Sequence, residues 1–224
     1  MRRNQEIRRD IDSICLVNQA SVADDGNTTA GKVGGLPSWL SHNYGGTAGG
    51  FATGTGLTVA RIPTATRALT ETLVRDAVQA VYQDGGDPTV MMSIPGVIRK
   101  FSEFLFTSSA RVSTLVSDQG KSTEAATALG SVNVFVTDFG TLKMVPNRLQ
   151  KTHVDSGSTQ VADVFILDPS YLSLSYMKGY RTEDLAKTGL AENKLISCDW
   201  TLKVLTDKAH AIIGDISTTL AVTL

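Results

Sequence analysis

The sequence predicts an α+β fold, and two patterns along the chain support this prediction. Apolar residues recur every three or four positions in the first half, which is typical of helices, whereas short apolar runs bounded by turn residues dominate from Val132 onward. Helices that precede strands, rather than alternating with them, indicate α+β organisation. The 224 residues, 42% of them hydrophobic, suffice for one large or two small domains whose core needs no metal ion or disulfide.

The first predicted element is an amphipathic helix over residues 2–18. Ile7, Ile11, Ile14 and Cys15 recur at the helical period and form one apolar stripe that is about 100° wide. Such a stripe indicates a helix that lies on the surface of a domain, with its opposite face in solvent.

A glycine-rich segment follows, from Gly26 to Gly56. It contains ten glycines and few large apolar side chains, so the sequence predicts a long irregular loop. Ordering this loop would cost much backbone entropy, and we expect limited proteolysis to cut it first. Leu36, Trp39 and Leu40 are the residues expected to anchor its middle to an apolar surface.

The middle of the chain predicts a strand between two helices, and further strands follow. A helix over 70–83 ends at a Gly-Gly-Asp-Pro sequence, a buried strand is predicted over 89–94, and a third helix runs from Pro95 to about Leu105. Five more strands are predicted over residues 132–138, 142–146, 162–167, 171–177 and 195–205.

The charge balance argues against a strong general affinity for nucleic acid or anionic membranes. The chain has 21 Lys and Arg against 22 Asp and Glu, a formal net charge of −1. No apolar run has the length of a membrane-spanning helix or of a signal peptide, so we expect a soluble protein that is not exported. Cys15 and Cys198 are far apart in the sequence and are expected to be reduced, structural thiols.

Two short strings imitate nucleotide-binding motifs without their context. Residues 26–32 match the glycine, four residues, glycine and lysine of a phosphate-binding loop, yet Val33 occupies the position where Ser or Thr would hold Mg²⁺. Asp138, Phe139 and Gly140 match the magnesium-binding triplet of protein kinases, but the other kinase motifs are absent. We interpret the first string as a flexible loop and the second as a turn between strands, with Phe139 as a core anchor.

No catalytic, cofactor-binding or metal-binding residue is predicted. His42, His153 and His210 are far apart in the sequence and have no ligand-spaced partner. The neighbouring acids Glu183 and Asp184 are interpreted as part of a solvated face. The residues therefore favour a protein that is not an enzyme. The alternative is an enzyme whose site is assembled from distant acids under the glycine-rich loop.

The one basic cluster, in the first predicted helix, consists of Arg2, Arg3, Arg8 and Arg9. At 100° per residue, Arg2 and Arg9 lie opposite the isoleucine stripe, whereas Arg3 and Arg8 flank it. An ordinary solvated helix face, balanced by nearby acidic residues, is the favoured interpretation. The alternative is a phosphate-contacting surface, which makes these four arginines the candidate nucleic-acid-facing residues.

Several longer strings resemble one protein family over nearly the whole chain. They are, in order, IRRDIDSICLVNQAS, GLPSWLSHN, RALTETLVRDAVQAVYQDGGDPTVMMS, VFVTDFGTLKMVPNR, VFILDPSYLSLSYMKGYRTEDLAKTG and LKVLTDKAHAIIGDI. In this order and spacing the sequence resembles the SU-ten-like major capsid proteins of tailed bacteriophages, which look like members of the Hong Kong-ninety-seven-type capsid fold. The most specific strings lie at residues 138–148, 167–169 and 185–189.

The resemblance implies a shell subunit with two subdomains. The peripheral domain would comprise residues 1–59 and 177–224, with the helix over 2–18 as its spine, the glycine-rich loop over 26–56 and the C-terminal strands. The axial domain would comprise residues 60–176 and would line the centres of hexamers and pentamers.

The resemblance also implies a function, which is that of a major capsid protein that self-associates into an icosahedral phage head around double-stranded DNA. Its partners would be other copies of itself, packaged DNA bound nonspecifically and weakly, and scaffolding or decoration proteins, without membrane contact. Its location would be the virion, after assembly in the cytoplasm of the bacterial host. A nonviral compartment shell protein of the same fold is a further alternative.

The sequence departs from the family at its start. Members of the family carry an N-terminal arm and an extended hairpin before the spine helix, and this sequence does not match that segment. A fragment and a natural loss are both compatible with the departure. We expect the 224 residues alone to form a folded monomer or a small ring rather than closed shells, because the remaining contacts between subunits would be small.

Overall fold

The computed structural model describes residues 2–107, 134–187, 189–190 and 193–218. Within these ranges, three strands separate the first helix from the second, one strand separates the second from the third, and the remaining strands follow the third helix, an arrangement that agrees with the predicted α+β class. The helices are α1 (Arg2–Leu16), α2 (Glu71–Gln83) and α3 (Pro95–Thr107). The strands are β1 (His42–Tyr44), β2 (Gly50–Ala52), β3 (Leu57–Val59), β4 (Val90–Ser93), β5 (Val134–Thr137), β6 (Gly140–Pro146), β7 (His153–Val154), β8 (Gln160–Leu167), β9 (Leu172–Asp184), β10 (Lys194–Val204) and β11 (Ala211–Ser217).

Seven strands form a mixed sheet, the main sheet, in the order β1-β11-β8-β4-β6-β5, with β7 paired to β8. The β1–β11 and β4–β6 pairs are parallel, and the other pairs are antiparallel. β8 and β11 are neighbouring interior strands of this sheet. Every residue of β11, and every residue of β8 except Gln160, is buried, so these two strands hold the core.

Helices α2 and α3 cover one face of the main sheet. α2 begins after Thr70, whose side-chain oxygen accepts a hydrogen bond from the Leu73 N–H, and it buries Val74, Ala77, Val78 and Val81 against the sheet. α3 places Phe101 edge-to-face with Phe135 of β5, with ring centres 5.2 Å apart. The spacing of apolar residues predicts both helices correctly.

A second apolar cluster covers the opposite face of the sheet and corrects the prediction of an irregular glycine-rich segment. Leu36 and Leu40 are buried against Phe165, Leu167 and Ile212, which confirms that they anchor the segment. The segment also contains β1 and β2, a strand of the main sheet and half of a hairpin with β3. Leu36 and Leu40 pack against the main sheet, and β1 pairs with β11. These contacts order the segment despite its ten glycines.

β9 and β10 form a separate two-stranded antiparallel ribbon, which we call the ribbon. None of its residues is buried in the single chain. α1 lies beside it, with the Arg8 guanidinium 5.3 Å from the centre of the Tyr180 ring. The predicted strands over 171–177 and 195–205 therefore exist, and β9 continues seven residues further, to Asp184.

One predicted boundary requires correction, and another lies partly outside the described residues. α1 ends at Leu16 rather than at residue 18. Residues 211–217, which belong to the expected peripheral domain, form β11; this strand is buried along its whole length and pairs with β8 inside the main sheet. Residues 132 and 133 of the predicted strand 132–138 lie outside the described residues. None of the described helices is long and apolar enough to cross a bilayer.

Candidate functional site

The densest cluster of charged side chains surrounds Arg61, whose side chain is fully buried. Its Nη1 donates a hydrogen bond to Asp215 Oδ2 at 2.9 Å, and its Nη2 donates to Asp163 Oδ1 at 2.8 Å. Nη1 also donates to the Gly45 carbonyl oxygen at 3.0 Å. The cluster therefore joins the glycine-rich segment and the chain after β3 to the centres of β8 and β11.

A β-bulge in β11 shapes this cluster. The pairing of β11 with β8 shifts register between Ile213 and Ile216, and Asp215 adopts a left-handed conformation with φ of +62°. Gly214 allows the close approach of Arg61, since a Cβ at this position would lie 2.3 Å from Nη1. The bulge thus brings the Asp215 carboxylate to Arg61 and to the Thr64 N–H, which donates to Asp215 Oδ2 at 2.8 Å.

His153 completes the cluster and corrects the expectation that no histidine has a ligand-spaced partner. Its Nε2 lies 2.9 Å from Asp215 Oδ1, and its Nδ1 lies 3.8 Å from Asp163 Oδ2. One ligand atom from each of these three residues lies within 4.8 Å of the others, a spacing that suits a metal ion. The Arg61 guanidinium already contacts both carboxylates, so a metal ion would have to displace a buried positive charge. The donor set fits an ion-pair network better than a metal centre.

Burial and ion pairing shift the pKa values of three side chains in the cluster. Burial raises the pKa of Asp163 above its usual range, although Arg61 opposes this effect. Burial also acts to raise the pKa of Asp215, but hydrogen bonds from His153, Arg61 and Thr64 outweigh it and hold the pKa below the usual range. Burial alone would lower the pKa of Arg61, and its two carboxylate partners raise it instead. Arg61 and Asp215 therefore form a stable ion pair.

This cluster is the closest match to the enzyme alternative, in which distant acids meet under the glycine-rich segment. Asp163 and Asp215 do meet beside Gly45. Both carboxylates, however, are bound by the Arg61 guanidinium, and both side chains are nearly or fully excluded from solvent. Such acids hold segments together and are not accessible to a substrate.

Three open clefts lie along the surface of α1, and Asp12 borders each of them. One of about 490 Å³ lies between Ile11 and the ribbon residues Leu174 and Tyr176. A second of about 410 Å³ lies between Cys15 and the start of the ribbon. Burial raises the pKa of the Cys15 thiol to about 11, so this sulfur is a poor nucleophile. We call the first two clefts the α1 groove.

The arginines that the sequence offers as candidates for contact with nucleic acid lie in different environments. Arg3 pairs with Glu6 at 2.7 Å, and Arg8 stacks over Tyr180. Arg9 lines the third cleft, of about 380 Å³, together with Arg148, which lies two residues after β6. The side chain of Arg2 lies outside the described residues.

Neither of the two nucleotide-motif imitations forms a nucleotide site: the first, which the sequence predicts as a flexible loop, begins with a hydrogen-bonded turn, and the second is the predicted turn between strands. The Asp25 carboxylate accepts hydrogen bonds from the N–H groups of residues 27, 28 and 29, which closes a polar turn rather than a phosphate cradle. Residues 138 and 139 connect β5 to β6, and Gly140 has φ of +152°. The Phe139 ring packs against the core and lies 5.2 Å from the ring of Tyr82.

Sequence comparison matches residues 1–217 to the family described as SU10 major capsid protein. The chain belongs to this family. The match confirms the resemblance seen in the sequence strings, and membership suggests a structural rather than an enzymatic role. No match is found among curated proteins.

A solved structure agrees with this membership at the level of the fold. The SU10-family chain is similar to the SrpI encapsulin of Synechococcus elongatus, solved as a holo complex, with a TM-score of 0.51 and 15% sequence identity. The alignment covers 99% of this chain and 66% of the encapsulin chain. The likeness supports the Hong Kong-ninety-seven-type fold predicted from the sequence.

Sequence reasoning missed the Arg61 cluster, although a signal was present. Asp163 and Asp215 each interrupt an apolar strand run, and a charged residue in a buried strand requires a buried partner of opposite charge. This rule predicts that a buried arginine or lysine exists. It does not identify Arg61, which lies 102 positions before Asp163 and 154 positions before Asp215 in the sequence.

Proposed function

We propose that this chain is a noncatalytic structural subunit that associates with copies of itself into an icosahedral phage head around double-stranded DNA. The observation that carries the proposal is the family match over residues 1–217. The geometry is compatible with it, because the buried acids of the Arg61 cluster are charge-paired and the clefts along α1 are open. Assembly would take place in the cytoplasm of the bacterial host, and the virion would be the final location.

The proposed subunit has two parts that differ from the sequence-based division. The axial part would be the main sheet with α2 and α3, including β1 and β11. The peripheral part would be α1 with the ribbon, because among the described strands β9 and β10 pair only with each other. This division keeps the main sheet and the ribbon each within one part.

Self-association is the property to test first. Sedimentation velocity and negative-stain microscopy over a range of protein concentrations should show rings of five or six subunits at the higher concentrations, and closed shells would overturn only the expectation that the 224 residues form nothing larger than a small ring. A monomer in dilute solution agrees with that expectation, whereas a chain that stays monomeric at every concentration would contradict the proposed function.

A nonviral compartment shell differs from a phage head in what it encloses. If closed particles form in cells, their ultraviolet absorbance ratio and a nuclease digestion should identify nucleic acid as the content. Particles that contain protein cargo and no nucleic acid would favour the compartment shell.

We further propose that Arg9 and Arg148 provide weak, nonspecific contacts to DNA phosphates. Both line the same open cleft, and no hydrogen bond or ion pair engages either of them within the described part of the chain, whereas Arg3 is paired with Glu6. Asp12 borders this cleft as well and limits its positive charge. The arrangement thus suits a contact that forms and breaks easily, as a packaged genome requires.

Matched variants test this contact. Arg9→Gln and Arg148→Gln should each weaken binding to duplex DNA of any sequence, and each should reduce the slope of log K against log salt concentration by about 0.9. Arg3→Gln, which removes an arginine from the same helix, should change the slope less. Equal effects of all three variants, or sequence-specific binding, would contradict the assignment.

A further inference from the structure

A short segment between β3 and α2, which we call the strap (residues 61–67), joins several parts of the chain. The Asn18 side chain exchanges two hydrogen bonds with the backbone of Arg61, at 2.7 and 2.9 Å, which fixes the start of the strap to the chain after α1. Arg67 exchanges two backbone hydrogen bonds with β11, which fixes the end of the strap to the main sheet. The strap thus lies against the Arg61 cluster along its whole length.

Polar contacts attach the β7 hairpin, residues 153–160, to the strap. Asp155 is the one buried residue of this hairpin, and Val154 is 50% exposed, so the hairpin has no buried apolar side chain of its own. The Asp155 carboxylate accepts hydrogen bonds from the N–H and from the hydroxyl of Thr66, each at 2.7 Å. Electrostatic interactions rather than apolar packing therefore hold the hairpin in place.

His153 is the second attachment of the hairpin, and it connects the Arg61 cluster to solvent. Its side chain is 23% exposed, whereas the side chains of Arg61 and Asp215 are fully buried and that of Asp163 is 7% exposed. A proton from water can therefore reach the cluster through the His153 ring.

Both ring nitrogens of His153 face a carboxylate. Nε2 lies 2.9 Å from Asp215 Oδ1, and Nδ1 lies 3.8 Å from Asp163 Oδ2. A neutral imidazole carries a proton on one nitrogen only, so one of the two carboxylates would face a lone pair. The imidazolium ion has an N–H group on both sides. The site is therefore complementary to the protonated ring.

The charges around the ring also favour one additional proton. Five charged side chains lie on the elements around it: Arg61, Arg67, Asp155, Asp163 and Asp215. Two positive and three negative groups leave a formal charge of −1 when the ring is neutral and 0 when it is protonated. Arg61 opposes protonation most directly, since its Nη2 lies 3.2 Å from the ring Nε2. Burial raises the pKa of Asp163, so this carboxyl group competes with the ring for the proton.

We propose that His153 is a proton-dependent clamp on the β7 hairpin. Its protonated ring bridges Asp215 and Asp163 and holds the hairpin on the strap, and loss of the proton as the pH rises frees the hairpin. The clamp acts within a single chain, so it goes beyond the proposed function and does not depend on self-association.

Hydrogen exchange at several pH values, in dilute protein, tests the clamp. The N–H groups of residues 155–159 all donate hydrogen bonds. Their protection relative to the intrinsic exchange rate should fall about tenfold from pH 5.5 to pH 7.5, around the usual histidine pKa of about 6.5, because a charge-assisted hydrogen bond is lost. His153→Gln keeps a donor and an acceptor but does not titrate, so its hairpin should show no such change. His42→Gln, the control, removes a histidine that lies 2.9 Å from Asp84 and should behave as the wild type does.

Two further readouts come from the wild-type protein. Amides in the centres of β8 and β11 report global unfolding, and their protection should not follow that of the hairpin. Nitrogen-15 NMR of the His153 ring shows where the proton lies, and the midpoint of the ring titration should coincide with the midpoint of the change in protection. A ring that is neutral at pH 5.5 in a protected hairpin would place the proton on Asp163 and overturn the proposal. Protection that does not fall as the pH rises, or that falls equally in His153→Gln, would overturn it as well.

Discussion

The two strands of the ribbon and the two interior strands β8 and β11 of the main sheet differ completely in burial. Seven of the eight residues in β8 and all seven residues in β11 are buried, whereas no residue in β9 or β10 is buried. All four strands contain large apolar side chains. The hydrophobic content of a strand therefore does not reveal whether it supports the fold of the single chain.

The difference in burial indicates which strands stabilise the fold of the single chain. Apolar area that is removed from water in the single chain stabilises the fold by about 25 cal/mol per Å², and area that stays exposed contributes nothing until a partner covers it. We infer that the folding free energy resides in the main sheet and the Arg61 cluster. Substitutions in the two regions should then affect different measurements.

The largest loss of stability is expected from the Arg61 cluster. Arg61→Leu would leave the buried carboxylates of Asp163 and Asp215 without their guanidinium partner, which costs about 3–5 kcal/mol in the free energy of unfolding. The control is Arg181→Leu on the ribbon, where the exposed pair with Glu183 is worth less than about 1 kcal/mol. Urea unfolding of both variants measures the difference. Equal losses would mean that the Arg61 network does not stabilise the fold.

Ile213→Ala in β11 is expected to cause the next largest loss. Ile213 is fully buried in the main core, so truncation removes transfer free energy and leaves a cavity, at a cost of about 2–5 kcal/mol. Its effect on the unfolding midpoint should be seen at every protein concentration. A loss below about 1 kcal/mol would show that the site collapses around the smaller side chain, and that the core is packed less tightly than its burial indicates.

Much of this architecture was predictable, and the exceptions have physical causes. α2, α3 and the β5–β6 hairpin follow from local periodicity and turn residues, which act within a few positions. β11 was missed because Gly214 and Asp215 interrupt its apolar run, and only the bulge opposite β8 explains them. The partners of Arg61 come from strands that meet through tertiary folding, so the cluster has no local pattern.

His210, immediately before β11, is expected to make the free energy of unfolding depend on pH. The size of this effect lies between those of the core and ribbon substitutions. The ring is fully buried, Nδ1 accepts a hydrogen bond from the Asp168 N–H at 3.1 Å, and burial lowers the pKa to about 4, against opposing effects of Asp168 and Asp207. The unfolded chain has a histidine pKa of about 6.5. Because the folded-state pKa is the lower one, protonation favours the unfolded chain. Stability is therefore complete above about pH 6.5 and falls between pH 6.5 and pH 4, by about 2–3 kcal/mol in total.

The variant His210→Asn tests this pH dependence. Asparagine keeps a hydrogen-bond acceptor for the Asp168 N–H and has no titration in this range. Its unfolding free energy should decrease less between pH 6.5 and pH 4 than that of the wild type. Identical slopes for the two proteins would assign the pH dependence to other groups.

The smallest effect on stability is expected from Leu195→Ala on the ribbon, and it is the most direct test of the comparison. Leu195 lies opposite Glu183 and keeps 45% of its surface exposed, so truncation removes little buried area and leaves no closed cavity. We expect a loss below about 1 kcal/mol in the dilute protein, well under that of Ile213→Ala, although both changes shorten an aliphatic side chain in a strand. A loss in the dilute protein as large as that of Ile213→Ala would mean that the ribbon is part of the folding core, and that burial in the single chain does not separate the two regions.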